Sequence, residues 1–233
     1  MAERPVYIPK SSGPLLVKTE MVKFQWFPGM AVSQKQKSIA ALHEAAIQKN
    51  ICLRPLEISS KSPVTTGVAL SAFNLASQTQ KSQRSFTVET AFQSSKVFEQ
   101  GGPYRDLLHV TSREAKKDPR LQESGRLIRF DFFGDSWALE PKTASYDWPY
   151  INTLVKNDDL AQDVSCYDGF TDIEFNPERS INCQAYSLAL FKALQSRGLL
   201  SEALTGREDF LRIVTSGAVS NAYESTDVQP RLV

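Results

Sequence analysis

Glu89, Gln93, Lys96 and Gln100 recur at intervals of three and four residues, the spacing that lines side chains up on one helix face. Their types matter. A carboxylate can activate a water or stabilise a developing cation, an amide can pair with hydroxyls or a base edge, and an ammonium can hold a phosphate by charge. Facing a cleft, such a stripe can do chemistry; turned outward, it is an ordinary solvated face. Other residues offer related chemistry. Asn74 can pair as Gln93 does, and Arg105 can hold a phosphate or sit in a surface ion pair. Asp172 can act as an acid or base or serve as a turn residue, and Asn182 can bind substrate or satisfy a helix end. Trp137 and Trp148 are either core residues or platforms for a base, a stacking contact worth roughly 1–3 kcal/mol.

The residues also exclude chemistry. There is no Gly-x-Ser-x-Gly, no Gly-x-Gly-x-x-Gly and no phosphate-binding glycine loop, so serine hydrolysis, a dinucleotide cofactor and nucleotide hydrolysis are not indicated. His43 and His109 lie in unrelated segments, and Cys52, Cys166 and Cys183 are far apart. Neither a zinc site nor a disulfide framework is expected, and no cofactor is. Twenty-seven basic residues against 26 acidic give a net charge of +1, so any nucleic-acid contact should be local and transient. No apolar run of membrane-spanning length occurs, and the start does not read as a signal peptide. The expected location is the cytoplasm.

These residues must be positioned by a small set of elements. Thr87 can cap a helix that runs to Phe98 and is stopped by Gly101-Gly102-Pro103. Val88, Ala91, Phe92, Ser95 and Phe98 form its core face. Before it, residues 1–31 read as a Pro- and Gly-containing arm with a Trp26-Phe27-Pro28-Gly29 turn, Ser33 opens a helix to Asn50, and Ile51–Ser59 alternates as an edge strand around Pro55. Val64–Leu70 reads as a second short strand or extended segment and Gln78–Arg84 as a polar loop. After it come a capping box at Thr111 and Glu114, a strand over Arg126–Phe133 with Ile128, Phe130 and Phe132 on one side, and a turn at Gly134-Asp135. Asp147 caps a helix to Lys156, residues 157–179 are irregular and acidic, and Ser180 caps a helix ended by Gly198. Residues 209–216 suit strand or helix, and 220–233 read as a loose tail. The expected fold is a helix-rich α+β domain with a few short strands. Residues 1–50 are an N-terminal extension packed on it, 51–216 the catalytic domain and 217–233 a tail.

Val88 to Lys96 resembles the glutamate-x-x-phenylalanine-glutamine-x-x-lysine helix of the NADAR family. Ala72-Phe73-Asn74-Leu75, Pro103–Leu108 and Ser112–Lys116 resemble further family segments in order, and Phe170-Thr171-Asp172 and Ser180-Ile181-Asn182 lie where the family carries a late aspartate and asparagine. The glycine-rich stretch common before that asparagine is missing. The resemblance spans about residues 66–196, and the chain as a whole resembles the NADAR antitoxins paired with guanine-modifying DNA ADP-ribosyltransferase toxins. It implies a cofactor-free N-glycosidase acting on ADP-ribosylated guanine in DNA, with Glu89 and Asp172 catalytic and Asn74, Gln93, Lys96, Arg105, Asn182 and one or both of Trp137 and Trp148 binding substrate. Two alternatives remain: the same cleavage on a phosphoribosylated intermediate of the riboflavin pathway, and a non-catalytic module that binds ADP-ribose or the toxin.

Overall fold

The computed structural model describes residues 1–79, 83–178 and 180–216. The expected tail at 220–233 and the middle of the expected loop at 78–84 lie outside the described residues. The expected arm is instead a hairpin. Strand β1 (Ala2–Pro9) pairs antiparallel with β2 (Val17–Phe24), from Ala2 opposite Phe24 to Pro9 opposite Val17. Val6, Val22 and Phe24 face helix α1 (Val32–Gln48), which supplies Ile39, Leu42 and Ala46 to a small core. Ala31, not Ser33, is its cap residue, with no side-chain bond. Ser38 accepts from the Phe27 backbone N–H at 3.0 Å, which fixes the approach to the helix.

Strand β3 (Pro55–Glu57) is shorter than expected and lies at the sheet edge, where a proline costs no ladder bond. The run Val64–Leu70 is a helix, α2 (Thr65–Ala69), not a strand. A run this short is decided by tertiary fit. Gly67 packs so closely on the Glu57 carbonyl that a Cβ there would stand 2.1 Å from the oxygen. The hairpin β4 (Ala76–Gln78) and β5 (Ser85–Thr87) leads into α3 (Val88–Ser95). Thr87 caps α3: its Oγ1 accepts from the Thr90 N–H at 3.2 Å, and Thr90 Oγ1 accepts from the Thr87 N–H at 3.0 Å. The helix stops at Ser95, and Lys96–Phe98 is β6. Every residue of α3 is buried, so the two-sided helix expected from the pattern is a central one.

The capping box at Thr111 and Glu114 opens α4 (Ser112–Lys117), followed by the single turn α5 (Arg120–Glu123). Strand β7 (Leu127–Phe132) pairs with β6 and with β8 (Asp135–Trp137). A register shift opposite Val97 and Phe98 changes the alternation, so Leu127, Phe130 and Phe132 are buried while Ile128 is 44% exposed. This is the effect of a bulge on side-chain direction, and it corrects the expected apolar face.

Helix α6 (Ala144–Val155) begins three residues before Asp147, which is therefore buried inside the helix and not a cap. The segment expected to be irregular contains α7 (Asp158–Asp163) and strand β9 (Gly169–Thr171). Helix α8 (Gln184–Ser196) starts after Cys183 and not at Ser180. The single turn α9 (Leu200–Ala203) and α10 (Arg207–Ser216) follow, which settles 209–216 as helix. The order of the main sheet is β2-β1-β9-β3, with β9 antiparallel to β1 and parallel to β3. Two-stranded and three-stranded sheets flank α3, and the large core runs from Leu56 and Phe170 through Phe92 and Phe130 to Leu188 and Phe191. The fold is a single α+β domain. Among the described residues, no helix is long and apolar enough to cross a membrane, and no cluster of side chains suits a metal ion.

Candidate active site

Glu89 lies in the first turn of α3 and is 6% exposed. The Glu89 N–H donates to the Ala72 carbonyl at 2.9 Å, and the Val88 N–H donates to that of Leu75 at 3.0 Å. The turn 71–75 is thereby docked on the helix start, its carbonyls taking the first two N–H groups of α3. Gln93, one turn on, donates from Nε2 to Glu89 Oε1 at 2.9 Å. Lys96 follows at the helix end, 3% exposed, with Nζ 5.1 Å from the centre of the Phe92 ring. Burial pushes the Lys96 ammonium down to about 8; the Glu89 charge opposes that fall and Lys116 adds to it. The predicted carboxylate, amide and ammonium therefore form one buried set. Gln100, the last of the expected stripe, is exposed, because the chain leaves the helix at Lys96.

Asp172 follows β9 directly and is 7% exposed. Its Oδ1 accepts from the backbone N–H groups of Glu174 at 3.0 Å and Phe175 at 3.2 Å, and its Oδ2 accepts from Gln184 Nε2 at 2.9 Å. Burial raises its pKa, while the Gln184 bond draws it back. Gln184 is the joint of the site. Its Nε2 also donates to the Ile58 carbonyl at 2.6 Å, and its Oε1 accepts from the Ala72 N–H at 2.7 Å. A hydrogen-bonded path thus runs from the Glu89 backbone through Ala72 and Gln184 to the Asp172 carboxylate. Tyr146 spans the same space. It packs edge-on to Phe92 with ring centres 5.0 Å apart, and its pKa is held well above the ordinary value by burial and then by the charges of Glu89, Tyr150 and Asp172.

The remaining predicted residues are distributed as follows. Asn74 is exposed, and its Nδ2 donates to the Val68 carbonyl and Ser71 Oγ at 2.9 and 3.0 Å, which shapes the turn over α3. Asn182 precedes α8 by two residues; its Oδ1 is buried with no hydrogen-bond partner among the described residues, as is Gln93 Oε1. Arg105 is exposed and 3.7 Å from Asp131, so it lies apart from the buried set. Trp137 is 2% exposed and packs with Trp148 and Phe210, at 5.4 and 6.2 Å between ring centres. Trp148 is partly buried, and Trp137 Nε1 is buried with no hydrogen-bond partner among the described residues. His109 is exposed at a helix end.

Sequence reasoning missed Gln184, Tyr146 and a polar group behind Asp172. Glu57, 1% exposed, accepts from Thr171 Oγ1 at 2.6 Å and from the Ile173 N–H at 2.8 Å, and His43 Nε2 lies 2.9 Å from the same Thr171 oxygen. These contacts join residues more than one hundred positions apart, and no local spacing signals them. An open cleft of about 540 Å³ between the β1–β2 hairpin and the end of α1 is lined by Lys10, Lys18 and Lys49 and by none of the candidate residues.

No curated protein is similar enough to this chain to count as a match. The family profile described as "DarT1-associated NADAR antitoxin" matches residues 2–224, nearly the whole chain. The chain therefore belongs to the DarT1-associated NADAR antitoxin family.

Proposed function

We propose that this protein is an N-glycosidase that removes ADP-ribose from guanine in DNA and so reverses the action of a DNA ADP-ribosyltransferase toxin in the cytoplasm. The observation that carries the reading is the burial of Glu89 with Gln93 bonded to its carboxylate and Lys96 buried within reach of its charge. Cleavage of a ribosyl N-glycosidic bond passes through an oxocarbenium-like state, which calls for negative charge against the sugar, an activated water and help for the leaving base. Glu89 supplies the first two. Asp172, fixed on a separate loop with a raised pKa, is suited to pass a proton to or from the departing guanine. The unpartnered acceptors Gln93 Oε1 and Asn182 Oδ1 suit ribose hydroxyls or guanine N–H groups. Arg105, exposed and only loosely paired, is the cation open to the pyrophosphate.

Lys96 favours a second form of the same reaction. A buried amine with a lowered pKa is a nucleophile. Attack of Nζ on the anomeric carbon forms a C–N bond as the bond to guanine breaks and guanine takes a proton. The resulting glycosylamine opens to an imine, and water then releases ADP-ribose and the amine.

The test is incubation with a guanine-ADP-ribosylated oligonucleotide beside a phosphoribosylated pyrimidine. The expected result is release of ADP-ribose from the DNA alone, lowered by about 10²–10⁴-fold in Glu89→Gln, the usual range for loss of an acid–base group. Turnover of the pyrimidine alone, undiminished turnover by Glu89→Gln, or saturable binding without release each rejects the assignment.

A further inference from the structure

We infer that Glu57 is a positioning residue for Asp172: it grips the chain on both sides of that carboxylate and ties it, through Thr171, to His43 on α1. This rests on Asp172 acting in the proposed reaction and adds a residue that no motif marks. Glu57 Oε2 accepts from Thr171 Oγ1 and Oε1 from the Ile173 N–H, the neighbours of Asp172 on either side. The next residue, Ile58, donates its N–H to the Thr171 carbonyl at 2.8 Å and takes the Gln184 amide on its own carbonyl. Asp172 is thus held from the end of β3 at three places.

The groups that face Glu57 are Asp172 from the loop after β9, the hydroxyls of Thr171 and Ser59, and, beyond Thr171, His43 from α1. Helix α2 packs on the Glu57 carbonyl through Gly67 and carries no ionisable side chain. Burial and then the Asp172 charge raise the pKa of Glu57, and burial lowers His43 to about 4. The charge of Asp172 thus helps to hold the proton on Glu57. A protonated Glu57 donates to Thr171 Oγ1, which frees the Thr171 hydroxyl to donate to neutral His43. Ionised Glu57 reverses the chain and places a second buried anion beside the first.

Glutamine reproduces the neutral carboxyl: its Oε1 accepts from Ile173 and its Nε2 donates to Thr171. The experiment compares wild type, Glu57→Gln, Asp172→Asn and the double variant by urea unfolding across pH, and wild type, Glu57→Gln and Glu57→Ala by kcat and KM on the modified oligonucleotide. The native state keeps the Glu57 proton after the unfolded chain has lost it, so wild type should lose stability as pH rises, and Glu57→Gln, which keeps only the Asp147 and Asp172 contributions, should lose less. The urea midpoint of Glu57→Gln relative to wild type should climb from about pH 5 to about pH 9, and less so when Asp172 is Asn. The ratio of kcat for Glu57→Gln to that of wild type, in which the Lys96 titration cancels, should rise only as pH passes through about 8, where native Glu57 ionises. Glu57→Ala should lose about tenfold or more in kcat with KM little changed, and Glu57→Gln should restore it. A midpoint difference independent of pH, or one unchanged by Asp172→Asn, overturns the inference. Absent turnover in wild type sinks the proposed reaction, and the urea measurements then decide on Glu57 alone.

Discussion

An ammonium sealed under an aromatic ring, with a carboxylate supporting its charge, stands close to the balance between cation and free amine. Burial puts Lys96 there, at about 8. If Lys96 attacks the sugar, the amine fraction and with it kcat should grow as pH rises through that value, whereas a role as a fixed positive charge predicts the opposite slope. Borohydride added during turnover should reduce the imine and leave ADP-ribose attached to Lys96 by mass, with no adduct in Lys96→Arg. Turnover without an adduct rejects the nucleophilic route and leaves Glu89 and water. The buried trio itself was legible from spacing, because Glu89, Gln93 and Lys96 share one helix and its end. Its surroundings were not. Gln184 contacts Ala72 and Ile58, more than one hundred residues away, and a glutamine in the first turn of a helix carries no mark of that use.

Elements were easier to place than to delimit. The Thr87 cap and the Thr111–Glu114 box are local chemistry and stand where the pattern puts them. Helix α3 gives up its last turn because Lys96–Phe98 gains ladder partners in β7, and Val64–Leu70 becomes a helix because Gly67 must touch β3. Both outcomes are set by distant chain. The Gly67 contact yields a prediction for this level. A Cβ there would meet Glu57 O at 2.1 Å and Ser62 Oγ at 2.4 Å, so Gly67→Ala must push α2 off the strand that steadies Asp172. We expect a loss of about 1–3 kcal/mol by chemical denaturation, the usual cost of overpacking, together with reduced turnover. Gly206, with nothing within 4 Å of its added Cβ, supplies the control: Gly206→Ala should stay within about 0.5 kcal/mol of wild type.

The whole molecule carries an unusual load of buried acid. Burial raises Asp147 to about 7 even though Ser187 donates to it at 2.6 Å, and Glu57 and Asp172 are also raised. Each holds its proton in the native state after the unfolded chain has released it, so each contributes a loss of stability as pH rises. His43, lowered to about 4, works the other way below its unfolded value but is one group against three. Unfolding free energy should therefore fall by a few kcal/mol between about pH 5 and about pH 8, and Asp147→Asn should flatten the curve. A midpoint that climbs across this interval rejects the account.

Tyr7 sits opposite Phe170 in the main sheet. Strand β1, paired on one side with β2, therefore gains its second neighbour only from a strand made some 160 residues later. A fragment ending before Gln184 also lacks the amide that bonds both Ala72 and the Asp172 carboxylate, so truncation there unlinks the turn over α3 from the loop after β9.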